Sequence, residues 1–269
     1  MSKTIEQKLY DQIVVLKTED LRDILYGSDE YEDAPGHYTY HDVGGIIHLG
    51  FHDVDAPGAV PIPRFEIPQR LRALPDHGYY KDITHHFSEL FYGGIQIGEF
   101  ASSEALAQMQ AGDGSANAMQ LGGLLDIKRQ NLQDTLAFAR DVLSANEHRK
   151  LFIHGPCGSV WSPLLGLGII ADHLGAGKEK EAIEIMVACC LSGGPNLLEG
   201  QLAFLDHALG RGGKLIDAWA SERFKGKSYV DKARRYYQSF EIAAHEYHGP
   251  RRDLPKLRQG LRACNPDPA

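Results

Sequence analysis

Cysteine is scarce in this sequence, and its spacing gives no sign of crosslinking. Only 4 Cys occur among 269 residues, none of them in a CxxC pair, and Cys189 and Cys190 are adjacent. Adjacent cysteines do not readily form two framework bridges, because each disulfide needs its own favourable Cα separation. We therefore exclude a disulfide framework and predict reduced thiols that are mostly buried.

Long hydrophobic runs are also missing. No apolar stretch approaches the roughly 18 to 20 residues that a membrane-spanning helix requires. The first few residues carry the charges of Lys3, Glu6 and Lys8 instead of the apolar core of a signal peptide. We therefore predict a cytoplasmic protein with no membrane partner.

Several common catalytic and phosphate-binding motifs are absent. The sequence contains no GxSxG, HExxH or EF-hand pattern. Residues 166–171 match the dinucleotide-binding pattern GxGxxA, but Pro163 and the lack of a clear preceding strand argue against that function. Residues 175–178 lack the first glycine and the Ser or Thr of a phosphate loop. These absences remove the simplest hydrolase and nucleotide-binding interpretations.

Charge of one sign predominates, because the net charge is -8. Such a charge opposes nonspecific attraction to nucleic acid, which we predict is not a partner. The exception is residues 210–269, where 13 Lys and Arg against 7 Asp and Glu give +6, leaving -14 for the rest. A basic patch of Arg234, Arg235, Arg251 and Arg252 is a candidate phosphate site, although a solvated helix face is the simpler interpretation.

What the sequence does contain is the composition and periodicity of a helical globular protein. Hydrophobic residues make up 43% and charged residues 24%, as in folded domains. We predict an all-α fold, a single helical domain over residues 1–269, with at most one short strand near residues 150–153. Apolar spacing of three or four predicts helices at residues 4–26, 79–92, 103–110, 116–145, 161–174, 178–191, 196–209 and 228–248.

Histidine is clustered near the N-terminus. If residues 37–53 are helical, His37, His41, His48 and His52 share one stripe of that helix. Imidazole is a common neutral metal ligand, so this stripe predicts part of a metal site. The alternative is a polar, partly exposed helix face, and Gly44 with Gly45 weakens the helix prediction.

Further histidines could complete such a site. His85 and His86 lie within one helical turn of Glu89, a spacing that suits either a ligand set or a simple hydrogen bond. His154 and His207 are isolated, and the second of them follows an aspartate. An isolated histidine is more often a hydrogen-bonded side chain than a ligand.

Three stretches resemble the questin oxidase-like family, whose members oxidise or cleave anthraquinone-type rings. Residues 40–50 (YHDVGGIIHLG) are similar to its early His-rich helix, and residues 79–90 to its Tyr-Tyr helix. Residues 162–172 (SPLLGLGIIAD) are similar to its His-Pro-Leu-Ile-His-Leu-Gly motif, except that Ser162 and Gly166 replace the two histidines.

The resemblance implies non-haem iron held largely by histidines. Only His41 and His48 fall on matching motif positions, so only they are carried over as ligands. Some ligand sets of the family include a modified lysine, and no lysine of this sequence can be assigned to that role. The two missing histidines of the third motif leave the ligand set incomplete.

We therefore predict a metal-dependent oxygenase of secondary metabolism, with non-haem iron (Fe) and a small aromatic or polyketide-like substrate. His86, His154 and His207 join His41 and His48 as candidate ligands, and the predicted substrate contacts are Tyr80, Phe87 and Trp161.

Two other hypotheses remain open. One is a metal-dependent hydrolase or oxygenase of HD type, which would use His52 and Asp53 with His85, His86 and Asp126. The other is a non-enzymatic helical protein that binds a small molecule. A homo-oligomer is compatible with all three hypotheses.

Overall fold

The computed structural model of the protein describes residues 4–17, 20–21, 38, 42–50, 84–88, 107, 115–145, 148–155, 159–191 and 193–247. These residues are mostly helical, as predicted, and they form seven helices and four strands. In chain order the elements are α1 (Ile5–Gln12), β1 (Ile13–Lys17), β2 (Val43–Gly50), β3 (Thr84–Ser88), α2 (Ser115–Ala145), β4 (Lys150–Gly155), α3 (Trp161–Leu174), α4 (Glu179–Cys189), α5 (Glu199–Ala208), α6 (Lys214–Glu222) and α7 (Lys227–Tyr247).

The four strands form one parallel sheet in the order β1-β4-β2-β3. An isolated parallel bridge joins Cys190 to Val15, and the amide of Leu191 donates to the Val15 carbonyl at 2.9 Å. The chain after α4 therefore extends the sheet beyond β1. The strand predicted near residues 150–153 is confirmed as β4, but the prediction of at most one strand is wrong.

Strand β1 was missed because it is buried on both faces. Val14, Val15 and Leu16 are each 2% exposed or less. A strand in such a place has a continuous apolar run and no alternation of polar and apolar residues. Ile13 and Leu16 also fit a helical spacing, so the predicted helix over residues 4–26 wrongly included the residues of this strand. Only its start is helical: Thr4 and Gln7 form a capping box that begins α1.

Strand β2 occupies residues that were predicted to form the histidine-bearing helix, and that prediction is wrong there. Residues 43–50 are extended, so the stripe expected at helical spacing does not exist there. Gly45 is required by packing, because a Cβ at that position would lie 2.6 Å from a methyl carbon of Val142 on α2. Strand β3 likewise replaces helix in the middle of the prediction for residues 79–92. The predicted helix at residues 103–110 lies almost wholly outside the described residues.

The longer helices agree with the prediction. Helix α3 has the predicted bounds, and α2 differs from them by one residue. The middle of α3 is buried against the sheet, where a Cβ on Gly166 would lie 2.9 Å from Val15. Helices α4, α5 and α7 fall within the predicted ranges or one residue beyond them, whereas α6 was not predicted.

The chain divides into two compact units. The strand unit contains α1, the four strands, α2 from Leu132 onward, α3 and α4. The helical unit contains α2 up to Asn131, α5, α6 and α7, with Trp219 and Phe240 fully buried in its core. The expectation of a single domain stays a prediction. Within the described part of the chain, no helix has the length and apolarity that crossing a membrane requires.

Candidate functional site

Three of the predicted metal ligands occupy one row of the parallel sheet. His48 of β2 is in register with His86 of β3 on one side and with His154 of β4 on the other. Neighbouring strands lie about 4.8 Å apart, so three histidine Cα atoms follow one another at roughly that spacing. Residues in register on parallel strands belong to the same face, and the sheet therefore places three histidines on one face.

The row lies toward the carboxyl ends of the strands. His154 is the last residue but one of β4, and His48 is two residues from the end of β2. In open parallel sheets, ligands bind beyond the carboxyl ends of the strands. Leu16 continues the row on β1, and both Leu16 and His154 are completely buried. One end of the row is therefore shielded from water by apolar packing.

The histidine face is the one that α3 does not contact. Val15 and Ile153, which face Gly166 of α3, alternate with Leu16 and His154 along β1 and β4. Two residues before His154 on the same face is Phe152, whose ring meets the ring of Tyr38 edge to face at 5.8 Å. The described neighbours of the row on this face are Leu16 and Phe152, with Tyr38 and the ammonium group of Lys150 beyond Phe152.

Tyr38 is held above this face by contacts on two sides. The Lys150 ammonium lies 5.2 Å from the centre of its ring, a cation–π contact. Burial, followed by the nearby thiol of Cys189, raises the pKa of the Tyr38 hydroxyl. Tyr38 therefore stays protonated at neutral pH. Sequence reasoning did not select it, because a single tyrosine beside the histidine segment carries no distinguishing pattern.

The other predicted residues are less well defined. His41 and Tyr80 lie outside the described residues, as do the side chains of His48, His86 and Phe87. Position 87 alternates with position 86 and so belongs to the opposite face of the sheet from the histidine row. Among the side chains that the structure does describe, no group of three His, Cys, Asp or Glu residues could hold a metal ion.

Trp161 is the first residue of α3 and is half-buried. It comes six residues after the carboxyl end of β4, which is the end nearest the histidine row. Its predicted contact with substrate stays a prediction.

His207 belongs to the helical unit and has other partners. Its Nδ1 lies 3.2 Å from Nη2 of Arg129, and its ring meets the rings of Tyr237 and Phe240 edge to face at 5.5 and 6.1 Å. An imidazole ligand usually donates from its second nitrogen to an acceptor. A ring whose Nδ1 faces an arginine does not fit that arrangement, and the ligand role of His207 gains no support from these contacts.

The aspartate before His207 has a structural role. The Asp206 carboxylate accepts the backbone N–H groups of Gly213, Leu215 and Ile216 at 2.6, 2.7 and 3.3 Å. It therefore caps the start of α6 from the neighbouring helix. Burial raises the pKa of Asp206, while the three backbone donors oppose that rise.

Comparison with protein-family models, curated proteins and solved structures finds no match for this chain. The resemblance to the questin oxidase-like family therefore stays a prediction.

Proposed function

We propose that this protein is a non-haem iron oxidoreductase whose ion is held by His48, His86 and His154. The observation that supports the proposal most directly is their register on three adjacent parallel strands. The sequence separates these residues widely, and only strand pairing brings them into one row. His41, which lies outside the described residues, remains a candidate for a further ligand.

The spacing of the row suits a shared ion. The outer Cα atoms are separated by two strand spacings, about 10 Å, with the third between them. Imidazole nitrogens bind first-row metals at about 2.0–2.1 Å, and three protein ligands leave coordination positions open for other molecules. Imidazole ligands suit iron as well as zinc and copper, so the choice of iron rests on the family resemblance.

The surroundings suit an apolar substrate. Phe152 belongs to the same sheet face as His154, and Tyr38 packs on Phe152. Trp161 is close in sequence to the end of β4. Bound iron would supply dioxygen activation, and these aromatic groups would contact a small aromatic or polyketide-like substrate and exclude water. The reaction class follows from the proposed metal, and the substrate class from the aromatic surroundings.

The HD-type hypothesis has less support. His52 and Asp53 lie outside the described residues, and so do the side chains of His85 and His86. Loss of metal in Asp53→Ala, with retention in His41→Ala, would favour the HD type. A protein that binds no metal and turns nothing over would favour the non-enzymatic hypothesis.

The test is elemental analysis of purified protein, followed by His48→Ala and His154→Gln. His245 provides a matched control, because its side chain is 89% exposed. We expect about one ion per chain in the parent and in His245→Ala, with loss of most of it in the other two variants. Thermal unfolding of each variant separates loss of a ligand from loss of the fold. Equal metal content in all four proteins would exclude the histidine row as the site.

A further inference from the structure

The carboxyl ends of the neighbouring strands β1 and β4 form a second place where the sheet favours a ligand. The chain leaves these two strands in opposite directions. The next described strand after β1 is β2, on the far side of β4, whereas β4 leads through α3 and α4 to Cys190, on the far side of β1. In open parallel sheets, such a change of direction marks a crevice beyond the strand ends in which ligands bind.

Helix α3 begins beside this crevice, six residues after the end of β4. The first amides of an α-helix have no partner inside the helix, and they carry its partial positive charge. Val160, the N-cap residue of α3, has no side-chain oxygen to accept from them. An anion bound at this helix start would supply the missing acceptor.

Ser162 adds a side-chain hydroxyl to the start of α3. It is completely buried, and its oxygen has no hydrogen-bond partner among the described residues. It lies one turn before Gly166, so both residues face the sheet. A Cβ at Gly166 would contact Val15 and Ile153, which places Ser162 nearer the carboxyl ends of β1 and β4. An unpaired buried hydroxyl costs stability, and a ligand in the crevice explains why this one is kept.

A glycine-containing segment runs along the same edge. After its bridge to β1 the chain returns to the start of α3, where the Asn196 amide donates to the Ser159 carbonyl oxygen at 2.6 Å. On the way it passes through Gly193 and Gly194, which are exposed, with a φ of 104° at Gly193. Glycine lets a backbone approach a bound group closely.

One ion pair lies at the end of β1. Lys17, the last residue of that strand, alternates with Leu16 and so belongs to the face that α3 covers. Its ammonium lies 3.7 Å from the Asp20 carboxylate, and its side chain is 42% exposed. The pair is neutral as a whole. The attraction for an anion therefore comes from the amides of α3 and from Ser162.

We propose that the start of α3, together with the Ser162 hydroxyl, binds the phosphate group of a small molecule in the crevice beyond β1 and β4. A phosphate group has several acceptor oxygens, which suit backbone amides and a hydroxyl together. The site belongs to the face of the sheet that α3 covers, and the histidine row belongs to the other face. It therefore does not depend on the proposed iron site.

The experiment is an NMR titration of the full chain with inorganic phosphate and with acetate at constant ionic strength, following the backbone amides of Trp161 and Ser162. The variant is Ser162→Ala. The matched control is Ser239→Ala, because Ser239 is also a completely buried helical serine, but its hydroxyl donates to the Arg235 carbonyl oxygen at 3.0 Å. His48→Ala is the third variant, because phosphate also binds iron.

We expect phosphate to shift both amide resonances saturably, and acetate to bind more weakly. Phosphate affinity should fall about tenfold in Ser162→Ala and stay unchanged in Ser239→Ala and His48→Ala. Without phosphate, Ser162→Ala should unfold at the temperature of the parent or above it, because it removes an unpaired hydroxyl, whereas Ser239→Ala should unfold below it.

Three results would overturn the proposal: amide resonances that do not move, equal phosphate affinity in the parent and in Ser162→Ala, or acetate binding as tight as that of phosphate. Loss of phosphate binding in Ser239→Ala would also overturn it, because that serine lies elsewhere. Loss in His48→Ala would assign the phosphate to the metal ion and not to α3.

Discussion

His207 shows how far a single residue can be interpreted from the sequence. In the sequence it is isolated and follows an aspartate, which favours a hydrogen-bonded side chain over a metal ligand. Its lowered pKa is caused first by burial and then by the charge of Arg129, which is 78 residues away in the chain. No local pattern contains that pairing, because it depends on how α2 and α5 pack.

The lowered pKa of His207 makes a prediction about acid stability. The folded protein favours the neutral ring, so this contribution to stability is fully present above pH 6.5 and is lost as the pH falls toward about 4. We expect it to amount to roughly 1 kcal/mol, because the ring is partly exposed and solvent screens it. Urea unfolding at pH 7 and at pH 4.5 measures the change.

The comparison requires variants that differ in one titrating group. His207→Gln should lose less stability between the two pH values than the parent does, whereas the exposed control His245→Gln should behave like the parent. A pH dependence that is identical in the parent and in His207→Gln would contradict the assigned neutral state.

At the scale of elements, the sequence predicts helices well and parallel strands poorly. Helix α3 was predicted with its true bounds because Gly175 follows it, with a φ of 82° that suits glycine. Strand β1 was predicted as part of a helix because its apolar residues form an unbroken run. Strands β2 and β3 carry histidines and glycines, which are poor strand signals, and they depend on pairing with neighbours for their conformation.

The packing of α2 against α7 predicts that replacing Gly122 by alanine lowers the stability of the protein. A Cβ on Gly122 would overlap Cβ of Tyr247 and lie 2.5 Å from the Ala243 carbonyl oxygen, and backbone cannot move aside as a side chain can. We expect Gly122→Ala to lower the free energy of unfolding by about 1–3 kcal/mol, although alanine favours helix. Gly226→Ala, where no atom lies within 4 Å, should change it by less than about 1 kcal/mol. Chemical denaturation of both variants tests the contact, and equal stabilities would refute it.

The cap on α6 predicts different losses of stability for two substitutions of Asp206. Asp206→Ala leaves three backbone amides, two of them buried, without their acceptor and should cost about 2 kcal/mol or more. Asp206→Asn keeps one acceptor oxygen and should cost distinctly less. Thermal unfolding would rank the stabilities of the variants. An Asp206→Ala protein more stable than the parent would show that the carboxylate is not needed as a cap.

At the scale of the whole molecule, the candidate site depends on sheet topology. The sequence supplies His48, His86 and His154 as separate candidates, and the all-α prediction offered no way to align them. Their alignment follows from strand order and register, which are set by contacts between distant segments. Sequence reasoning could therefore name candidate ligands but not their arrangement.

The most direct test of the central claim is X-ray absorption spectroscopy of the iron-loaded protein, which counts the imidazole ligands of the ion. A site built on the histidine row predicts outer-shell scattering from at least three imidazoles in the parent, and from one fewer around the iron that His86→Ala retains. A spectrum without imidazole scattering, or one that is unchanged in His86→Ala, would contradict a metal held by this row.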